Sequence, residues 1–172
     1  MSWLDAFTCI GHSAIGTLEL WREHYPKALY HYERAVTLNP QEPVYIFRRG
    51  YCRLLEKQYR EAIEDFDKVL ELFPRFAEVG NPRLYFKRGL AYLELKNYHA
   101  ARHDFNLEIK RNPKDPESFY YLALVAWRLE YMEVAIGNLA VAKKLALKWP
   151  QNKGLIANLE ALQKEMENGN RS

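Results

Sequence analysis

Apolar residues along this chain recur at i, i+3, i+4 and i+7 and do not alternate, which is the spacing of one face of an α-helix and not of a strand. The apolar-periodic stretches come in pairs. Short polar breaks such as Glu56-Lys57-Gln58 and Leu95-Lys96-Asn97 separate the members of a pair. Prolines punctuate the pairs, because proline cannot continue a helix but suits its first turn. Asn81-Pro82 and Asp115-Pro116 each set a capping side chain directly before such a proline, so a helix is expected to begin at both. The pattern predicts an all-α chain of helix-turn-helix pairs.

Compared with itself, the chain repeats. The segments KALYHYERAVTLNP, REAIEDFDKVLELFP and HAARHDFNLEIKRNP share a small residue, an aromatic four positions on, and a proline eight after that. These columns are Ala28, Tyr32 and Pro40, then Ala62, Phe66 and Pro74, then Ala101, Phe105 and Pro113. A weaker fourth copy holds Ala135 and Leu139, with Leu147 in the proline column. Upstream stands a small-residue column, Gly16, Gly50, Gly89 and Ala123, spaced by 34, 39 and 34 residues. Small residues let the two helices of a copy cross closely. No copy can bury its apolar stripe alone, so neighbours must stack and each end needs a cover. Leu155, Leu159, Leu162 and Met166 form one stripe, opposite Glu160, Gln163, Lys164 and Glu167, and predict a capping helix over 151–168. Trp3, Leu4 and Phe7 are expected to cover the other end.

With these columns the chain resembles the tetratricopeptide repeat family, whose 34-residue unit carries a W-x2-L-G-x2-Y, A-x3-F, P pattern. The resemblance covers residues 9–149. Tyr25, Tyr59 and Tyr98 match the aromatic after each turn, with Met132 in the fourth copy. His12, Ile46, Tyr85 and Phe119 occupy the large first column, and the late first-helix aromatic survives only as Tyr92. Arg49 and Arg88 depart from the pattern, standing where an apolar residue should precede the glycine. The resemblance implies an all-α, right-handed superhelical solenoid of four helix-turn-helix repeats, at 9–42, 43–76, 82–115 and 116–149. Residues 1–8 would form an N-terminal capping segment and 150–172 a capping helix and short tail. Residues 77–81, Ala-Glu-Val-Gly-Asn, are an insertion, to be absorbed by an extra helical turn or a longer linker.

In this family the first helix of each copy lines a concave side on which partner peptides bind. The resemblance places Ser13, Thr17, Leu20 and Leu54 there together with a candidate groove of Phe47, Arg48, Tyr51, Arg83, Phe86, Lys87, Leu90, Tyr120, Tyr121, Leu124 and Trp127. That groove would be aromatic with a basic middle. Arg83 and Lys87 match two cations with which relatives grip the terminal Asp of heat-shock chaperones. Ser13, Thr17 and Arg48 stand where that grip needs Lys and Asn, so the chaperone grip is set aside and a different acidic ligand is left open.

Composition narrows the functional classes. Of 172 residues, 48% are apolar and 27% charged, the balance of a folded protein and not of a disordered one. The net charge of +3 is too small to argue for nucleic acid, although Arg48, Arg49, Arg53, Arg83 and Lys87 would be the basic patch for RNA. Cys9 and Cys52 are the only cysteines; they make neither a disulfide framework nor a zinc set, which fits a reducing, cytoplasmic setting. Asp5 precedes the early apolar residues, unlike a secretory leader. No apolar run approaches the roughly 20 residues of a membrane span. His99 and His103 lie four apart beside Asp104, but no third ligand is evident and exposed helix histidines are expected. A phosphate loop and a nucleophile elbow are both missing, so no enzyme activity, cofactor or metal is expected.

The function these features predict is a non-enzymatic protein-protein interaction adaptor, or co-chaperone-like scaffold, binding a peptide segment of a partner in the concave groove. The partner would be another protein, offering an extended or helical peptide with apolar and acidic residues. Two alternatives stay open: a structural subunit of a larger assembly, and a small secretion-type chaperone built from the same repeats, although those chaperones are usually acidic and this chain has a pI of about 8.8. Array ends and exposed grooves also invite self-association.

Overall fold

Turns decide how this chain is divided. The computed structural model describes the backbone of residues 3–78 and 83–169, and the side chains of these residues after residue 6, Pro150 excepted. Every regular element in it is helical. The helices are α1 (Trp3–Trp21), α2 (Tyr25–Leu38), α3 (Pro43–Leu55), α4 (Tyr59–Leu72), α5 (Leu84–Glu94), α6 (Tyr98–Arg111), α7 (Pro116–Arg128), α8 (Met132–Ala146) and α9 (Lys153–Glu167). Short 3-10 turns cover Phe76–Glu78 and Pro150–Asn152. Among the described residues, no helix is long and apolar enough to cross a membrane.

Within each helix pair the connection is the same. Glu23, Lys57, Lys96 and Glu130 all take the left-handed conformation, with φ of 61°, 62°, 58° and 65°. The amide after each reaches back five residues, as from Gln58 to the Arg53 carbonyl at 2.8 Å, while Lys57 N–H bonds the Leu54 carbonyl at 3.1 Å. This pair of hydrogen bonds closes the helix end and satisfies two of its open carbonyls. No glycine stands at any of the four sites, so residue type alone did not announce the turn.

Two compact units are formed, Met1–Ala91 and Tyr92–Ser172. In the first, the small columns do what close crossing requires. A Cβ on Gly16 would come within 3.0 Å of the Tyr32 ring, and one on Gly50 within 2.9 Å of Asp65 Cβ and 3.1 Å of Phe66. Ala28, Tyr32, Ala62 and Phe66 are fully buried, each large side chain contributing about 1.5 to 3 kcal/mol by leaving water. Ile46, Phe47, Leu54, Val69, Ala77 and Leu84 complete the core of α3, α4 and α5. Cys9 Sγ lies 3.9 Å from the Tyr45 hydroxyl, joining α1 to α3.

Arg49 is accommodated by a carboxylate. Asp65, buried in α4, accepts from Arg49 Nε at 2.9 Å and Nη2 at 2.5 Å, and from Arg53 Nη1 at 2.9 Å. Arg53 also lies 3.7 Å from Glu33. The second departure is met alike: Arg88 donates to Asp67 at 2.5 Å.

The insertion lengthens the linker and leaves the helix unextended. α4 has 14 residues, as do α2 and α6. Beyond it Phe76 packs on Phe47 with ring centres 5.5 Å apart, and Ala77 is buried. Residues 79–81 and the expected helix start at Asn81-Pro82 lie outside the described residues; α5 begins at Leu84.

The second unit holds the same columns, with Ala101, Phe105 and Ala135 fully buried and Leu139 nearly so. Asp115 caps α7 as expected, accepting from the Ser118 amide at 3.1 Å and its hydroxyl at 2.5 Å, with Pro116 opening the helix. α9 packs its stripe inward: Leu159 and Leu162 are buried, flanked by Leu155, Ile156 and Met166. The N-terminal expectation fares differently. Residues 3–8 are the first turns of α1, and Phe7 is 78% exposed, so Phe7 covers nothing; the side chains of Trp3 and Leu4 lie outside the described residues.

Candidate functional site

The groove residues divide between the two units, and packing sorts them into sealed and accessible sets. In the Met1–Ala91 unit, α3 and α5 present Phe47, Arg48, Tyr51, Phe86, Lys87 and Leu90, with Arg83 directly before α5. Phe47 and Phe86 are 6% exposed. The Phe47 ring sits between Phe66 at 5.8 Å and Phe76 at 5.5 Å. The turn at the start of the insertion has therefore made a groove candidate into core. Arg48, Tyr51, Arg83, Lys87 and Leu90 are half-buried.

Rings and cations interleave on this face. Lys87 Nζ is 4.8 Å from the Tyr51 ring centre and 5.7 Å from that of Phe47, and the Arg83 guanidinium lies 3.8 Å from the Phe86 ring centre. Such contacts hold a cation against a ring face and limit its rotamers. Arg48 has no carboxylate partner among the described residues. Its charge instead opposes burial at Tyr51, Tyr32 and Cys52: burial pushes the Tyr51 and Tyr32 phenols up and the Cys52 thiol up to about 12, while Arg48 pulls each the other way. Cys52 is thus a buried, protonated thiol and no nucleophile. Thr17, across from these residues on α1, bonds the Tyr32 hydroxyl at 2.7 Å.

The basic patch considered for RNA is smaller than its residue count. Arg49 and Arg53 are committed to Asp65.

In the Tyr92–Ser172 unit, α9 covers part of the α7 face. Trp127 is 1% exposed and belongs to one cluster with Leu159 and Leu162, against which Tyr120 and Leu124 also pack. Burial, followed by the nearby Glu165 of α9, pushes the Tyr120 phenol up, and Arg128 lowers it. Tyr121 stacks on Phe105 at 5.6 Å and meets Tyr120 edge-on at 5.0 Å. Tyr120, Tyr121 and Leu124 keep partial exposure, while Trp127 is core. Periodicity alone did not say where the tail helix would lie.

One feature escaped the sequence. A cleft of about 400 Å³ opens between α8 and α9, lined by Met132, Ile136, Leu139, Lys143, Gln163 and Met166. Its signal was Ile136, an apolar residue 55% exposed one position beyond the buried small column of α8. His99 and His103 are exposed on α6. Among the described residues, no three His, Cys, Asp or Glu side chains converge as a metal set would.

Comparison with known proteins agrees with this architecture. Models of the tetratricopeptide repeat match residues 43–76 and 86–146. Dynein axonemal assembly factor 4 of Rattus norvegicus is 35% identical over 53% of this chain and 22% of its own length. Serine/threonine-protein phosphatase T of Aspergillus oryzae is 30% identical over 70% of this chain and 24% of its own length. The chain therefore spans less than a quarter of these curated relatives. Among solved structures, MamA from Desulfovibrio magneticus RS-1 superposes with a TM-score of 0.76 at 19% identity, covering 95% of this chain and 87% of that one.

Proposed function

The chain belongs to the tetratricopeptide repeat family, a family of protein-interaction scaffolds, and on that premise we propose that it is a non-enzymatic adaptor holding an acidic, partly apolar peptide segment of another protein. The observation that carries this is the α3 and α5 face. Arg48 has no carboxylate partner among the described residues, beside a Tyr51 ring that also receives the Lys87 ammonium at 4.8 Å. A carboxylate docking between Arg48 and Lys87 would gain charge-assisted hydrogen bonds. Apolar side chains flanking it would meet Tyr51 and Leu90, which are half-buried and still reachable. Holding Lys87 over the rings in advance lowers the ordering cost of binding.

In the second unit Tyr121 and the open edges of Tyr120 and Leu124 are the corresponding surface, and a partner there would be met by rings without a matching pair of cations. The acidic feature is accordingly read in the first unit.

A display library of peptides selected on the protein tests the proposal. Peptides joining Asp or Glu to Leu or Phe should be enriched, with binding that weakens as salt is raised. Arg48→Glu combined with Lys87→Glu should lower affinity at least tenfold, about 1.4 kcal/mol, with helical circular dichroism unchanged. Selected peptides without acidic residues, or a charge-reversed variant that binds them equally well, would remove the proposed chemistry.

A further inference from the structure

α1 carries an apolar face that its own fold leaves uncovered. The helix buries Cys9 and Gly16 against the rest of its unit. On the far side, within about 80° of arc at 100° per residue, lie Phe7, Ile10, Ala14, Leu18 and Trp21. Phe7 is 78% exposed, Ile10 61%, Leu18 44% and Trp21 82%. Side chains of this kind cover about 150 to 250 Å² each when aromatic, so the face offers roughly 500 Å² of apolar surface. Isolated exposed apolar residues are ordinary, but a continuous stripe of this area signals an interaction surface.

Three properties of the stripe identify what covers it. The first is symmetry. Phe7 and Trp21 lie seven residues either side of Ala14, and Ile10 and Leu18 lie four either side. If a second α1 runs antiparallel about a two-fold axis at Ala14, Phe7 of each copy meets Trp21 of the other, Ile10 meets Leu18, and the two Ala14 side chains face one another. Large residues at both ends and a small one at the centre let two helices approach closely. The second is charge. From Ala6 to Leu18 there is no Lys, Arg, Asp or Glu, and a face that must meet itself across a two-fold axis cannot carry a net charge without repulsion. The third is Gly11. A Cβ built there meets nothing within 4 Å, so the chain's own packing does not need a glycine, whereas a closely apposed helix would.

We infer that this chain forms an isologous dimer through antiparallel pairing of α1 with α1 of a second copy, centred on Ala14. The area is what such an assembly needs: with the exposed Gly11 backbone and the rim of Thr17 on either side, the face approaches the roughly 800 Å² per partner of a specific interface. A lipid surface is the less fitting occupant, because membrane-lying helices flank their apolar face with many cations and α1 has no Lys or Arg.

Mass and cross-linking test the pairing in the full chain. Sedimentation equilibrium at roughly 100 µM, above the dissociation constant expected of an interface this size, should give twice the 20.4 kDa chain mass. Phe7→Glu or Trp21→Lys alone should weaken association by roughly 100-fold, because each buries an unpaired charge. The double variant should recover much of it, since antiparallel pairing sets Glu against Lys twice. Ala14→Cys should cross-link to a covalent dimer on mild oxidation, while Thr37→Cys on the exposed side of α2 should not. The groove variant Arg48→Glu/Lys87→Glu should leave the mass unchanged, so failure here and failure of the peptide site are separable. Single-chain mass for the wild type, open-ended oligomers, binding to neutral vesicles in place of dimerisation, or a double variant no better than the single ones would each overturn the inference. Circular dichroism checks that the variants fold; should a charge variant unfold, the cross-link of the Ala14→Cys variant decides.

Discussion

At the scale of single residues, the departures from the repeat pattern are the most informative positions. Arg49 stands where neighbouring packing asks for an apolar side chain, and Asp65 makes it tolerable by accepting from both Arg49 and Arg53. A buried carboxylate gripped by two guanidinium groups gains from three charge-assisted bonds, and its removal strands Arg49 and leaves Arg53 with only Glu33, 3.7 Å away. Asp65→Ala should therefore destabilise by about 3 kcal/mol in urea unfolding. Adding Arg49→Leu should restore part of that loss, because one stranded charge goes with it. A loss under about 0.5 kcal/mol, the range of ordinary surface changes, would show that water already serves these arginines. Asp65 could not be foreseen as Arg49's partner from sequence, since residues 16 apart meet only once the crossing of α3 and α4 is known. The columns Ala28, Ala62 and Ala101 were legible, because a small residue recurring beside an aromatic four positions on has few explanations other than close helix crossing.

At the scale of elements, one turn geometry is imposed four times on residues that do not prefer it. Glu23, Lys57, Lys96 and Glu130 hold φ near 60°, a conformation that costs a side chain roughly 1 kcal/mol or more relative to glycine. The backbone bonds that end one helix and the start of the next helix outweigh that cost. Lys57→Gly should raise stability by about 0.5 to 1 kcal/mol, measured by chemical denaturation, with the structure unchanged. The gain is moderated because glycine also frees the unfolded chain. No gain would mean that the left-handed site is relieved by contacts of the lysine stem. The position of each break was legible from polar interruptions such as Glu56-Lys57-Gln58; its handedness was not, for want of a glycine.

At the scale of the whole molecule, stacking makes stability a matter of neighbours. The α9 stripe closes the end of the second unit over Trp127 and Leu139. Leu159→Ala with Leu162→Ala should lose roughly 5 kcal/mol, since each buried Leu→Ala change costs about 2 to 5 kcal/mol and adjacent sites do not add fully. Hydrogen exchange should locate the loss in α7, α8 and α9 and leave α2 to α4 protected; a uniform loss across all helices would instead indicate a single cooperative block. The existence of α9 was legible from its four-residue stripe, but not which rings it would cover, because a repeat pattern fixes the spacing of a cap and not its resting place. The same limit governs Phe47, whose neighbour Phe76 reaches it only through the turn that opens the insertion. Trimming 77–81 to the regular spacing would not tidy the array: it takes out the buried Ala77 and the rest of the turn that holds Phe76 on Phe47, and a hollow would open beneath that ring. The inserted residues brace a plug that the repeat itself supplies, so the spacing the pattern treats as regular is not the one this core fits.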